Sequence, residues 1–213
     1  MGCCGHNRAA GRFFSFFARN YRKRFEKKGF TPSQKHLLEG LQQAGYIGAS
    51  ILEIGSGAGN LHQTLIEQGA SSATGVDLAP KMIDEARQWA HDRNLDGQVD
   101  YRLGDFVELA DTVAPAGVTV LDKVICCYPD ADSLVHKSLD KTQRVYALTY
   151  PRYNWFSRTM SQIMAAIFWV ARFDFRNYIH DPEMVHRWIT SAGFNRVYSN
   201  ATRVWQTEVY VRN

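Results

Sequence analysis

The chain has 213 residues, which is enough to bury a substantial core, and one domain is expected. Charged residues make up 22% and apolar residues 45% of the sequence, an ordinary balance that excludes extensive disorder. No apolar run reaches the roughly 20 residues that a membrane-spanning helix needs. The four cysteines form two adjacent pairs, Cys3-Cys4 and Cys126-Cys127, which is not the pattern of a secreted disulfide framework. The amino terminus has no apolar signal segment, so we expect a cytoplasmic protein.

Positive charge is concentrated at the amino terminus. Residues 1–30 contain eight lysines and arginines against one glutamate, whereas the whole chain carries only +4. Aromatic residues interleave with these cations over residues 11–28, and helical spacing gathers five of them on one side: Phe13, Phe14, Phe17, Tyr21 and Phe25. We predict an amphipathic helix that packs on the domain or forms a lid over a ligand site. Peripheral contact with an anionic membrane is an open alternative, and nucleic acid is disfavoured because no RNA-binding module accompanies the helix.

A second helix is predicted to begin at Thr31. Thr31 suits the N-cap, Pro32 the first helical position, and Gln34 completes a capping box. The apolar face ends at Gly45. We therefore expect residues 1–46 to form a helical arm or lid and residues 47–213 to form the main domain.

A glycine-rich turn follows the first strand candidate. Residues 51–60 read ILEIGSGAGN, an apolar run that breaks at once into glycines and then into a helical pattern. Gly55, Gly57 and Gly59 let the backbone approach a ligand where any Cβ would collide. The start of the helix also offers free N–H groups to an anionic group.

Dinucleotide-binding proteins use a similar turn, with the spacing G-x-G-x-x-G. Here the spacing is G-x-G-x-G, because Asn60 follows Gly59. Glu53 also lies inside the strand, where an unpaired carboxylate would be costly to bury, so a cationic or hydrogen-bond-donating partner is expected. Both features disfavour an NAD-dependent oxidoreductase.

Acidic residues end the next two predicted strands. Asp77 ends the strand over residues 73–77, where an acid could hold two ribose hydroxyls, although it could instead cap the helix that begins at Pro80. Residues 99–103 alternate as a strand and run into Gly104-Asp105-Phe106. Asp105 could bind a ligand there or could simply be a turn residue.

The carboxyl half continues the strand and helix alternation. The fourth strand (118–121) leads into Asp122, and the fifth (145–150) ends at Tyr150 beside an aromatic cluster. Residues 160–173 form an apolar helix candidate that is too short to span a membrane. A further helix begins near His180, and a closing antiparallel hairpin is expected from residues 196–211.

Three motifs in this order resemble the class I S-adenosylmethionine (SAM)-dependent methyltransferases. E-x-G-x-G-x-G resembles their first motif, V-D-x-x-x-x-M their second, and the strand end Gly104-Asp105-Phe106 a third. The segment from Asp122 to Asp130 further resembles their fourth motif. The resemblance implies an α/β, three-layer Rossmann-like fold with a mostly parallel seven-stranded sheet and an antiparallel final hairpin. The carboxyl half is most similar to magnesium-protoporphyrin O-methyltransferases and related small-molecule enzymes. Those porphyrin enzymes carry a histidine where this chain has Cys127, which argues against porphyrin as the substrate.

The resemblance also implies site residues. The predicted cofactor-binding residues are Glu53, Gly55, Ser56, Gly57, Gly59, Asp77, Leu78, Met82, Gly104, Asp105, Phe106, Leu121 and Asp122. The catalytic candidates are Tyr21, His180 and Tyr150, each of which could instead have a structural role. No metal site is predicted.

We therefore expect SAM as the cofactor, S-adenosylhomocysteine as the product, and a small, partly apolar methyl acceptor. A non-catalytic SAM-binding or membrane-surface protein that docks through its basic arm is the alternative. A sharper hypothesis is that the Cys126-Cys127 thiols capture a soft acceptor such as a metalloid, although buried cysteines usually behave as small hydrophobes. The acceptor atom and the oligomeric state do not follow from the sequence.

Overall fold

A seven-stranded sheet organises the computed structural model, which describes residues 3–155, 159, 162–163 and 178–213. The strand order is β3-β2-β1-β4-β5-β7-β6. The first five strands in that order are parallel, and β7 runs antiparallel to both β5 and β6. The predicted fold class is confirmed. The strands are β1 (Ser50–Ile54), β2 (Ser72–Asp77), β3 (Val99–Leu103), β4 (Ala116–Asp122), β5 (Thr142–Pro151), β6 (Phe194–Ala201) and β7 (Trp205–Arg212).

Helices precede the sheet and connect its strands. The predicted apolar helix over residues 160–173 lies almost entirely outside the described residues. No helix among the residues that are described is long and apolar enough to cross a membrane. The helices are α1 (Cys3–Lys28), α2 (Pro32–Ala44), α3 (Asn60–Glu67), α4 (Pro80–Asp92), α5 (Phe106–Leu109), α6 (Ala131–Asp140) and α7 (Pro182–Ser191), with 3₁₀ turns at Ala110–Thr112 and Ile125–Cys127.

The core consists of two apolar clusters, one on each face of the sheet. Alternation along the central strands separates them, so that Leu52 and Leu121 belong to one cluster and Ile51 and Val120 to the other. Both faces are covered, which explains why these strands are mostly apolar rather than alternately polar. Helix α2, which the sequence interpretation grouped with the arm, packs on the sheet and contributes buried leucines to the second cluster.

Strands β1 and β4 are neighbours although two strands, three helices and a 3₁₀ turn separate them in the chain. The chain runs from β1 outward through β2 to β3 and then returns to the other side of β1 as β4. Connections therefore leave β1 and β4 in opposite directions, and a crevice forms at their carboxyl ends. The glycine-rich turn after β1 and Asp122 at the end of β4 both lie at this crevice.

Helix α1 lies along α4. Phe25 packs edge-on against Trp89, with ring centroids 5.2 Å apart, and Arg22 donates a 2.6 Å hydrogen bond to Asp92. Near the other end of α1, a Cβ added at Gly11 would lie 2.6 Å from the carbonyl oxygen of Leu78. The helix backbone therefore approaches the loop after β2 too closely for a larger residue.

Candidate functional site

A cavity of about 490 Å³ opens at the carboxyl ends of the parallel strands. This volume is in the range of small-molecule sites. Residues from α1, the turn after β1, the ends of β2 and β4, and the loop after β3 line it together. Of the residues predicted to bind the cofactor, the lining includes Glu53, Gly55, Ser56, Gly57, Asp77, Leu78, Met82, Gly104, Asp105, Phe106 and Asp122.

Two residues of that predicted set do not line the cavity. Leu121 is fully buried in the core. Gly59 has φ +82° and precedes the first residue of α3, and a Cβ there would lie 2.6 Å from the side-chain nitrogen of Gln63. Its role in this structure is to let the turn enter α3 without a clash, and cofactor binding by these two residues stays a prediction.

The glycine-rich turn holds two buried polar atoms that have no hydrogen-bond partner among the described residues. Gly55 and Gly57 have φ of +68° and +53°, the left-handed region that favours glycine. Beside them, Ser56 Oγ and Asn60 Oδ1 are buried and have no hydrogen-bond partner among the described residues, although both residues line the cavity. Buried polar atoms are rarely left unpaired, so their position favours a polar ligand at this turn.

Asp77 connects the end of β2 to the glycine-rich turn. The Gly57 N–H donates to Oδ2 and the Ala79 N–H to Oδ1, each at 2.8 Å. Burial raises the pKa of the Asp77 carboxyl, and these N–H donors oppose the shift. Ala79, not Asp77, is the N-cap of α4. The carboxylate therefore holds two loops together while facing the cavity.

Asp105 accepts hydrogen bonds from its own helix and from a distant tyrosine. It caps α5 by accepting a 2.9 Å hydrogen bond from the Val107 N–H, and it accepts a second, of 2.8 Å to Oδ2, from the Tyr128 hydroxyl. Tyr128 also lines the cavity. Sequence reasoning identified the turn around Tyr128 but missed this contact, because nothing in the spacing of the two residues indicates it.

Glu53 has the partner that its buried position requires. His62 Nδ1 lies 2.6 Å from Glu53 Oε2, and His62 Nε2 lies 2.9 Å from the hydroxyl of Tyr101. That hydroxyl also accepts a hydrogen bond from Gln63, so its own proton is directed to His62 Nε2, which leaves the Nδ1 proton for Glu53. Burial raises the pKa of Glu53, and His62 opposes the shift. His62 is a residue that sequence reasoning missed; the buried acid was the signal for it.

Asp122 lies where α2, β4 and β7 meet. Gln34 donates a 2.9 Å hydrogen bond to one carboxylate oxygen, and the Lys123 ammonium lies 2.9 Å from the other. Lys123 has φ +62°, a conformation uncommon outside glycine, and its ammonium is 5.5 Å from the centre of the Trp205 ring. Gln34, Lys123 and Trp205 all line the cavity.

The three catalytic candidates lie in different environments, and only Tyr21 is on the cavity wall. Tyr21 lines the cavity and is 49% exposed. Burial raises the pKa of its hydroxyl, and the neighbouring Cys127 adds to the effect. At neutral pH this hydroxyl is therefore a hydrogen-bond donor rather than a ready base.

His180 and Tyr150, the other two catalytic candidates, do not line the cavity, and their catalytic roles stay predictions. His180 Nε2 lies 2.8 Å from the carbonyl oxygen of Ile125, and burial lowers the pKa of the ring. Tyr150 is fully buried and donates to Glu208 at 2.9 Å, a carboxylate that Tyr210 and Arg196 also contact. Burial raises the pKa of the Tyr150 hydroxyl. Both side chains are committed to partners within the protein.

Comparison with known proteins identifies the domain. Residues 51–147 match the family described as "Methyltransferase domain". This match makes residues 51–147 a methyltransferase domain. The fold is that of solved methyltransferases with bound SAM or SAH. The predicted methyltransferase domain is confirmed, and the predicted cofactor agrees with the SAM and SAH bound in structures that share this fold. Within the described residues, no cluster of three or more histidine, cysteine or acidic side chains is arranged to hold a metal ion.

Relatives of this domain include enzymes with small-molecule substrates. A "Ubiquinone biosynthesis O-methyltransferase" from Xylella fastidiosa (strain 9a5c) is 29% identical over 70% of this chain, and the match spans 61% of that relative's length. A magnesium protoporphyrin IX methyltransferase from Synechocystis PCC 6803 with bound SAH has a TM-score of 0.72 at 19% identity, covering 98% of this chain and 100% of the other. A geranyl diphosphate C-methyltransferase from Streptomyces coelicolor A3(2) has a TM-score of 0.66 at 15% identity, covering 84% and 78%.

Proposed function

We propose that this protein transfers a methyl group from SAM to a small, partly apolar acceptor held in the cavity beside α1. The observation that carries the proposal is the convergence of the glycine-rich turn, Asp77 and Asp105 on one cavity within a methyltransferase domain. That cavity extends past Asp122 to Cys127 and Trp205, so its lining continues beyond the predicted cofactor residues.

The residues at the turn fit the cofactor. The unpaired Ser56 Oγ and Asn60 Oδ1 require polar partners, and the carboxylates of Asp77 and Asp105 can accept further hydrogen bonds from ribose hydroxyls and an adenine amino group. SAM, when bound, supplies an electrophilic methyl group on a sulfonium. The task of the protein is then mainly to align the acceptor with that methyl group and to exclude water.

The far end of the cavity favours an aromatic or otherwise apolar acceptor with a polar group. Trp205 supplies apolar surface there, and the Lys123 ammonium beside it and the Tyr21 hydroxyl near Cys127 supply donors. We assign Tyr21 the role of a donor that orients the acceptor, because its raised pKa keeps it protonated. The name of the Xylella relatives supports an oxygen atom as the methyl acceptor.

We further propose that α1 closes the cavity as a lid, within the division into an arm (residues 1–46) and a main domain (residues 47–213). Five of its residues line the cavity, and the helix backbone contacts the loop after β2 at Gly11. A lid of this kind would exclude water from the reacting groups. The five α1 residues that line the cavity are Ala10, Phe14, Tyr21, Arg24 and Phe25.

A methyl-transfer assay tests the proposal. The purified full-length chain is incubated with methyl-labelled SAM and with matched pairs of acceptors, each pair a phenol and the same ring bearing a methoxy group instead. We expect label transfer and S-adenosylhomocysteine formation with phenols and none with the blocked partners. SAM binding without transfer to any phenol in the panel would contradict the proposed methyl transfer to an aromatic hydroxyl. The relatives are enzymes and do not favour the non-catalytic alternative.

A further inference from the structure

Two adjacent thiols lie on the wall of the same cavity. Cys126 and Cys127 both line it, and their sulfur atoms are 3.7 Å apart. They belong to a 3₁₀ turn, in which consecutive side chains normally point in directions about 120° apart. Here both sulfurs instead contact the same carbonyl oxygen of Lys123, at 3.3 and 3.7 Å. The turn therefore directs the two thiols to one side.

The environment of this pair suits a ligand that prefers sulfur. Cys126 is buried and Cys127 half-buried, and neither forms a disulfide. The neighbouring thiol and burial raise the pKa of Cys126, so it is protonated at neutral pH. A soft ligand can displace such protons because the bonds to sulfur that it gains outweigh the S–H bonds that it replaces.

We propose that Cys126 and Cys127 form a dithiol site that binds a trivalent arsenic compound through two arsenic–sulfur bonds. For an arsenic(III) oxide R–As=O, each thiol loses its proton and forms one As–S bond, and the oxide oxygen leaves with both protons as one molecule of water. No oxidant or reductant is needed, because arsenic and sulfur keep their oxidation states. The site does not depend on methyl transfer.

The probe is phenylarsine oxide, applied to the full-length chain in a Cys3→Ser/Cys4→Ser background that removes the other adjacent cysteine pair. Intact-mass measurement should find one phenylarsenic group per chain, and thiol titration of the folded protein should find both remaining thiols consumed. A two-point ligand binds more tightly than a one-point ligand by roughly 10²-fold or more. The adduct should therefore survive excess glutathione, a monothiol, and be removed by 2,3-dimercaptopropanol.

Single-thiol variants provide the matched control. Cys127→Ser in the same background, with an unchanged thermal midpoint, should lose the glutathione-resistant adduct. Consumption of one thiol only, removal of the adduct by glutathione, or a resistant adduct in Cys127→Ser would each overturn the site. The background protein is also titrated with SAM, so that loss of the dithiol site and loss of cofactor binding are measured separately.

Discussion

At the residue scale, Asp77 is the side chain whose loss most directly tests cofactor binding. Its two oxygens hold the glycine-rich turn and the loop after β2 in place, and the carboxylate lines the cavity. Hydrogen bonds to a charged group contribute about 1.5–3 kcal/mol each. We expect Asp77→Ala to weaken SAM binding by roughly 10- to 100-fold in calorimetric titration. Asp100→Ala, which removes an exposed carboxylate paired with Arg102, should leave SAM affinity unchanged.

The contact between Glu53 and His62 predicts a large change in stability. Removing one partner of a buried polar pair leaves the other without compensation, at a cost of about 3–5 kcal/mol. His62→Ala should therefore lower the free energy of unfolding by roughly 3 kcal/mol in urea titration. The control is His91→Ala, where the histidine is exposed and contacts Asp96. Equal stability of the two variants would contradict the buried pair.

His180 predicts a dependence of stability on pH. Burial lowers the pKa of its ring from 6.5, so the unfolded chain binds this proton more readily than the folded one. Its contribution to the free energy of unfolding is therefore complete above pH 6.5 and is lost as the pH falls toward the folded-state pKa. His180→Gln should show a shallower loss of stability over that interval, while methyl transfer is retained. Loss of methyl transfer in a folded His180→Gln protein would support its catalytic assignment.

At the scale of elements, sequence patterns predicted the strands themselves better than the contacts between segments that are distant in the chain. The apolar runs of β1 and β4 and the glycine-rich turn follow from local residue preferences. Contacts between distant segments, such as Gln34 with Asp122 and Tyr128 with Asp105, depend on the relative placement of helices and loops. Local periodicity does not encode that placement. The same reason explains why His180 and Tyr150 looked like site residues in the sequence but point into the protein.

The contact at Gly11 predicts how α1 affects the cavity. Alanine is a better helix former than glycine by about 1 kcal/mol, so propensity alone favours Gly11→Ala. The added Cβ would, however, lie 2.6 Å from the Leu78 carbonyl oxygen and push α1 away from the cavity. Overpacking of this kind costs about 1–3 kcal/mol, and we expect SAM affinity to fall roughly fivefold or more.

The matched control for this helix is Asn20→Ala, at an exposed position of α1. It changes helix propensity without adding a contact, so it should leave SAM affinity unchanged in the same titration. Unaltered affinity in Gly11→Ala as well would contradict the proposed lid.

At the scale of the whole molecule, the sheet topology determines where the cavity forms. The switch between β1 and β4 creates the crevice, and three motifs in the sequence were enough to predict both the fold and the cofactor. The acceptor was not predictable to the same degree, because the lining beyond the predicted cofactor residues comes from the arm, β4 and β7, which come together only in the folded chain. Substrate identity therefore depends on tertiary packing rather than on a local motif.

Calorimetric titration of the full-length protein with SAM, S-adenosylhomocysteine and NADH tests the central claim most directly. We predict one binding site for each adenosyl ligand and no binding of NADH. Binding of NADH alone would mean that the glycine spacing and the buried Glu53 have both been misinterpreted. Absence of binding by either adenosyl ligand would contradict the proposed methyltransferase.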